Sequence, residues 1–366
     1  MNKKLKIDKV FLFSVILLSA FGFLIFSSAS LGLLAKEVSN YNFVAAKQFI
    51  GLMIGLVAFL LMSKLPYKTL RKYSFYIFIS AIIINLLLFI PFISVSHGGA
   101  SRWIDLGPIT FQPSELLKIA FIIYFAAWLS GVKDKVSSIK YSILPYLGIV
   151  SILSMILLAQ SDTDTLVVIS GTGILMLYAA GSKTKHVATL ILALLILVSI
   201  VIAVRPYARQ RVMTFFNSSV NSQSSGYQIQ QSLIAIGSGG FTGRGFGQSI
   251  QKFNYLPEPI GDSIFAVQAE EFGFIGSIAL VLLFVFFLIK TIKISIRTED
   301  SFGGLLALGI GILIITESFM NISSMLGIIP LSGMPLLFVS HGGTALIITL
   351  AAVGIIANIS KFQKNI

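Results

Sequence analysis

The stretch YLPEPIGDSIFAVQAEEFG, residues 255–273, places Glu258, Asp262, Glu270 and Glu271 directly before and inside a strongly apolar run. A carboxylate at the mouth of such a run can act as a general base, and a well-placed base contributes about 10²- to 10⁴-fold to rate. Asp262 is the candidate, because Pro257 and Pro259 fix a turn just ahead of it. Its competing role is to cap a helix beginning near Ser263, worth ~1 kcal/mol. A carboxylate that accepts several amide hydrogen bonds has a lowered pKa and is a weaker base. Glu270 and Glu271 fall two turns further on, where an isolated carboxylate costs about 2.5–3.5 kcal/mol and faces a cavity or a partner. Adjacent helical residues point about 100° apart. One of these two glutamates can therefore support the site electrostatically while the other pairs with a neighbouring helix.

Four further segments carry polar groups. In GGASRWIDLGPITFQPSELLK, residues 98–118, Pro113 suits a first helical position, which sets Glu115 and Lys118 at i and i+3 within ion-pair reach. A self-neutralising pair is the plainer use, and neutralising an anionic substrate is the other. Arg102 beside Trp103 could do likewise. In AQSDTDT, Asp162 and Asp164 read either as a solvated turn or as oxygen ligands for a hard divalent cation, magnesium or manganese. GSGGFTGRGFG, residues 237–247, lacks the Lys-Ser/Thr ending of a phosphate loop, so it binds no nucleotide, although its amides and Arg244 could meet a lipid pyrophosphate. In PLSGMPLLFVSHGG, residues 330–343, Ser340 and His341 fall inside the last apolar run, with His97 and His186 too far away to make a metal set.

The elements that must position these groups are membrane helices. Of the 366 residues 56% are hydrophobic and 11% charged, whereas soluble domains carry roughly 25% charged residues. Apolar runs recur at about 10–34, 46–62, 74–93, 114–131, 143–159, 166–180, 187–204, 263–289, 303–327 and 335–358, which predicts an all-α polytopic protein of about ten transmembrane helices in one domain over residues 1–366. The lysine-rich start resembles a signal peptide, but the run from Val10 to Leu34 outlasts its ~7–15 residue core, so it is kept as a first helix. With both termini cytoplasmic every inner loop is basic. The net charge of +13 is thus spread over inner loops facing anionic lipid, which argues against a nucleic-acid partner. Acidic residues, Glu37 and Asp105 among them, gather on the outer side, where the chemistry is expected. The absence of cysteine excludes disulfides and thiolate metal sites. One long outer loop, 205–262, joins helices 7 and 8, and reads as an interfacial basic helix, a Ser/Asn-rich flexible link over NSSVNSQSSG, a short half-helix and a glycine-rich turn region. No internal repeat is evident, which weakens a transporter built on inverted halves.

Over essentially its whole length the chain resembles the SEDS family (shape, elongation, division and sporulation). The segments that carry the resemblance are GGASRWIDLGPITFQPSE, YQIQQSLIAIGSGGFTGRGFGQSIQKFNYLPEPIGDSIFAVQAEEFGFIG and PLLFVSHGG, and the wording QSLIAIGSGG and QKFNYLPE favours a division-type over an elongation-type member. The resemblance implies a peptidoglycan glycosyltransferase in the bacterial cytoplasmic membrane, at the division septum. It would polymerise lipid II at the outer face, beside a class B penicillin-binding protein transpeptidase and other divisome membrane proteins. It places the family's essential aspartate on Asp262 and the PSE…K motif on Glu115 and Lys118. The usual QPDxG turn is here QSDTD, with Ser161 for proline and Asp164 for glycine, and the usual SYGG is SHGG. Those departures leave the roles of Asp162 and His341 open. A lipid II flippase, a scaffold for the transpeptidase and an elongation-type polymerase are the alternatives.

Overall fold

The computed structural model describes residues 6–35, 41–90, 94–97, 100–105, 110–216 and 225–364. Glu37 and most of the Ser/Asn-rich link lie outside the described residues. Helix α1 (Lys9–Ser30) starts at Asp8, whose carboxylate accepts from the amides of Val10 and Phe11. There follow α2 (Tyr41–Lys64) and α3 (Tyr67–Leu86), then a small antiparallel sheet of β1 (Ser94–His97), β2 (Ala100–Asp105) and β3 (Thr110–Phe111) in that order. Next come α4 (Pro113–Gly131), α5 (Ile143–Ala159), α6 (Thr163–Ala179) and α7 (Thr184–Val204). The long connection holds α8 (Pro206–Phe216) and α9 (Ser225–Gly239), and α10 (Ile264–Arg297), α11 (Ser301–Met325) and α12 (Gly343–Ile359) complete the chain.

Among the described residues eight helical stretches are long and apolar enough to cross a membrane: α1 to α4, α7, α10, α11, and α12 together with the 3-10 turn that continues it to Phe362. Helices α5 and α6 are apolar but only 17 residues each, a rise of about 26 Å against a hydrocarbon core of about 30 Å. Helices α4, α11 and α12 are mostly buried by protein, whereas α7 presents most of its surface outward. Small residues let the central helices approach. A Cβ on Gly309 would sit 2.7 Å from Ile122 and Met176, one on Gly354 2.6 Å from the carbonyl of Phe59, and one on Gly311 2.6 Å from Thr291. Lipid offers no hydrophobic drive between helices, so close packing of this kind has to supply the association.

The structure departs from the sequence expectation in three places. The segment around Arg102, which lies between spans of a chain expected to be all-α, forms the small sheet. The predicted last span from 335 is in fact non-helical chain as far as Gly342, and α12 begins only at Gly343. This stretch, with most of Leu331–Ser340 buried, is irregular backbone enclosed by protein, the condition under which a membrane protein tolerates it. Third, α10 is broken at Gly273 (φ 65°, ψ −164°). The glycine-rich segment enters the break: Arg244 and Gly245 donate their amides to the carbonyls of Glu270 and Glu271, and Phe274 and Ile275 donate to those of Gly240 and Phe241. A Cβ on Gly273 would lie 2.3 Å from the amide nitrogen of Gly243. Gly273→Ala should therefore lower the melting temperature of the purified protein markedly, since backbone strain alone costs about 1–3 kcal/mol. An unchanged melting curve would contradict this account of the break.

Candidate functional site

Asp262 lies on the turn that leads into α10, and it is partly exposed. Three successive carbonyls hold that turn. Ile260 O accepts from the amide of His341 (2.6 Å), Gly261 O from Ser340 Oγ (2.8 Å), and Asp262 O from Asn321 Nδ2 (2.8 Å). Asn321 also donates to Met334 O (2.8 Å), and Ser340 Oγ accepts from the amide of Leu336 (2.8 Å). Ser340 therefore serves by fixing the turn, and the non-helical 335–342 segment exists where it does to reach it. The N-cap of α10 is Ser263, which makes no side-chain cap bond, and Ser263 Oγ instead accepts from Gln228 Nε2 of α9 (2.9 Å). The capping role considered for Asp262 is not realised, so its carboxylate keeps its basicity. Burial, and next the nearby carboxylate of exposed Glu258, push Asp262 up to about 7, against the opposing pull of Arg211; Asp164 adds to the rise and Arg102 to the fall.

The remaining predicted residues separate into two groups, those around the turn and those committed elsewhere. Arg102, in β2, is buried, donates from Nη2 to Ser161 O and pairs with Asp162 at 3.8 Å. Asp162 caps α6, accepting from Thr165 N (3.4 Å) and Thr165 Oγ1 (2.9 Å). Asp164 pairs with Arg211 at 2.7 Å. With both aspartates engaged by arginines, and no gathering of three His, Asp or Glu side chains among the described residues, the expected cation ligands do not fit a resident divalent ion.

Glu115 and Lys118 form the predicted pair at 2.8 Å, but Lys118 also binds Glu317 of α11 at 2.6 Å, and all three are buried. Sealed in the bundle, Lys118 is not placed to neutralise a substrate phosphate. Glu317 and Asn321 stand at i and i+4 on one face of α11, so the triad braces the same helix that holds Asp262 O. Glu270, expected to support the substrate, instead binds the loop ahead of the turn. It accepts from Ser249 Oγ (2.5 Å) and the amides of Ile250 (3.0 Å) and Gln251 (3.2 Å), and it pairs with Arg244 at 3.3 Å. Glu271 accepts from Ser28 Oγ and pairs with Lys252 at 2.7 Å, both partners being buried. The amides of Arg244 and Gly245 are thus taken by α10, and Arg244 pairs with it through Nε while its side chain stays 39% exposed.

Sequence reasoning missed Arg211, Glu317 and Asn321. For Glu317 the signal was present, because a lone carboxylate inside a span requires a partner. Arg211 was absorbed into a basic amphipathic helix, and nothing local distinguishes it from Arg205 or Arg209.

The FtsW/RodA/SpoVE cell cycle protein model matches residues 8–365. The chain belongs to the FtsW/RodA/SpoVE family. It is 35% identical over 358 residues, 98% of each chain, to a Geobacter sp. (strain M18) protein named "Probable peptidoglycan glycosyltransferase FtsW". It is equally 35% identical over 364 residues, 99% of each, to stage V sporulation protein E of Bacillus subtilis (strain 168). In fold it resembles a chain of a peptidoglycan synthase complex in polymerisation and crosslinking, with TM-score 0.80, 24% identity and coverage of 98% and 99%. It also resembles the rod shape determining protein RodA of Thermus thermophilus, with TM-score 0.70, 21% identity and 98% of both chains covered. The FtsW/RodA/SpoVE fold thus accounts for the whole chain as a multi-pass membrane protein.

Proposed function

We propose that the chain is a peptidoglycan glycosyltransferase that polymerises lipid II at the outer face of the cytoplasmic membrane during cell division, with a class B penicillin-binding protein as its partner at the septum. The observation that carries the reading is Asp262, a partly exposed carboxylate with its acidity near neutrality, on a turn fixed through three consecutive carbonyls. The FtsW relatives at 35% identity support the activity and the division role.

In the proposed reaction the 4-hydroxyl of the acceptor N-acetylglucosamine donates its proton to the Asp262 carboxylate. Its oxygen bonds to the anomeric carbon of the donor N-acetylmuramic acid. The bond from that carbon to the pyrophosphate breaks, undecaprenyl pyrophosphate leaves, and configuration inverts. The leaving group is good and the nucleophile poor, so proton removal is the step a positioned base assists most. A base of pKa near the working pH combines an ionised form with adequate basicity. The rigid turn keeps that base in place, as a positioning mechanism requires. The test is the purified full chain with a class B penicillin-binding protein, supplied with lipid II. Glycan strands resolved on a gel are expected, and lipid II recovered unchanged would refute the reading.

A further inference from the structure

Asp164 occupies a position whose geometry the reaction above does not use. It lies in the first turn of α6, and its Oδ2 receives Arg211 Nη1 at 2.7 Å and the amide of Gly333 at 3.4 Å. Arg211 comes from α8, in the long outer connection, with its guanidinium 4.4 Å from the ring centre of Tyr207 one turn earlier. Asp164 and Arg211 are both largely shielded, at 15% and 16% side-chain exposure. Gly333 stands between this pair and the base. A Cβ built there would lie 3.3 Å from Arg211 Nη2 and 3.7 Å from Asp262 Oδ2. Three elements distant in sequence therefore converge on one guanidinium flanked by two carboxylates.

We infer that Asp164 is a positioning residue for the reaction: by holding Arg211 in an ion pair beside Asp262, it keeps the guanidinium at the base without letting it neutralise the base. The inference rests on the assignment of Asp262 as base. A cation shared between two carboxylates stabilises each less than a cation devoted to one, and a neighbouring charge moves a carboxylate's pKa by about 1–3 units. The charged groups facing Asp262 are Glu258 on its own turn, Arg211 from α8, Asp164 from α6 and Arg102 from β2. Removing Asp164 takes away a negative neighbour and releases Arg211 to Asp262, so the base weakens. Removing Arg211 leaves like charges facing each other, so the base strengthens and ionises only at higher pH.

The experiment measures the pH dependence of initial rates of lipid II polymerisation by the full chain with its class B penicillin-binding protein. Asp164→Asn should move the acidic limb to lower pH by about a unit and lower the high-pH plateau, and Arg211→Gln should move the limb up by a similar amount. Asp164→Glu should restore the wild-type limb. Introduced into Arg211→Gln, Asp164→Asn should again move the limb down. That comparison decides the matter even if Asp164→Asn alone does not yield folded protein, because the double variant leaves no unpaired charge of this pair. Limbs that stay in place, or move in the same direction for both single variants, would overturn the inference. Asp262→Asn, run alongside, separates the two levels: if it retains wild-type rate and limb, the assignment of the base has failed, whatever Asp164 does.

Discussion

Asp262→Asn should abolish polymerisation of lipid II, a loss of about 10²- to 10⁴-fold in initial rate, without loss of folded protein. The variant keeps the side chain's size and removes only its capacity to take a proton, while the turn stays pinned through its backbone by Asn321, Ser340 and His341. Its stability should also respond to pH in a definite direction. The folded-state pKa of Asp262 is raised to about 7 from an ordinary carboxylate value, so between about pH 4 and pH 7 the folded state holds more protons than the unfolded state, and stability falls as pH rises through that window. The cost of the ionised group is complete above it. Asparagine removes that cost, so the variant should melt close to wild type at about pH 4, where the window opens, and above it at about pH 8. Melting below wild type at both values would make Asp262 a structural residue.

Lys118→Met should be among the most destabilising single changes in the chain. It leaves Glu115 and Glu317 buried without their shared cation, and breaking a buried ion pair on one side costs about 3–5 kcal/mol. Neutralising all three residues as Glu115→Gln, Lys118→Met and Glu317→Gln should recover most of that loss, because no uncompensated charge then remains in the bundle. Melting curves of detergent-purified protein read both effects. If the single variant melted with wild type, the triad would not be the brace proposed here.

Local spacing and hydropathy made much of this legible. The Pro113 helix start, the Glu115–Lys118 pair, the basic helix now seen as α8 and the half-helix seen as α9 all follow from short-range pattern. What escaped was set by contacts distant in sequence. The apolar wording PLLFV continues smoothly into α12, so hydropathy reads it as span; the need of Gly261 and Ile260 for partners, 79 residues away in the case of Ser340, keeps it non-helical. Glu270 reads as a site carboxylate because a sequence shows the charge and not its partner, whereas the pairing expected of at least one of the two glutamates is made by both. Ser249, Lys252 and Ser28, which satisfy them, come from other segments. Arg211 was invisible for the same reason, since only folding brings α6 and α8 together around Gly333.

The most direct test of Asp262 as base compares the pH dependence of the initial rate of lipid II polymerisation by wild type and by Asp262→Asn, each as the full chain with its class B penicillin-binding protein. The wild-type rate should rise through a limb centred near 7, following the carboxylate, and the variant should stay near the enzyme-free blank at every pH. A variant that reproduced the wild-type limb and plateau would contradict the assignment.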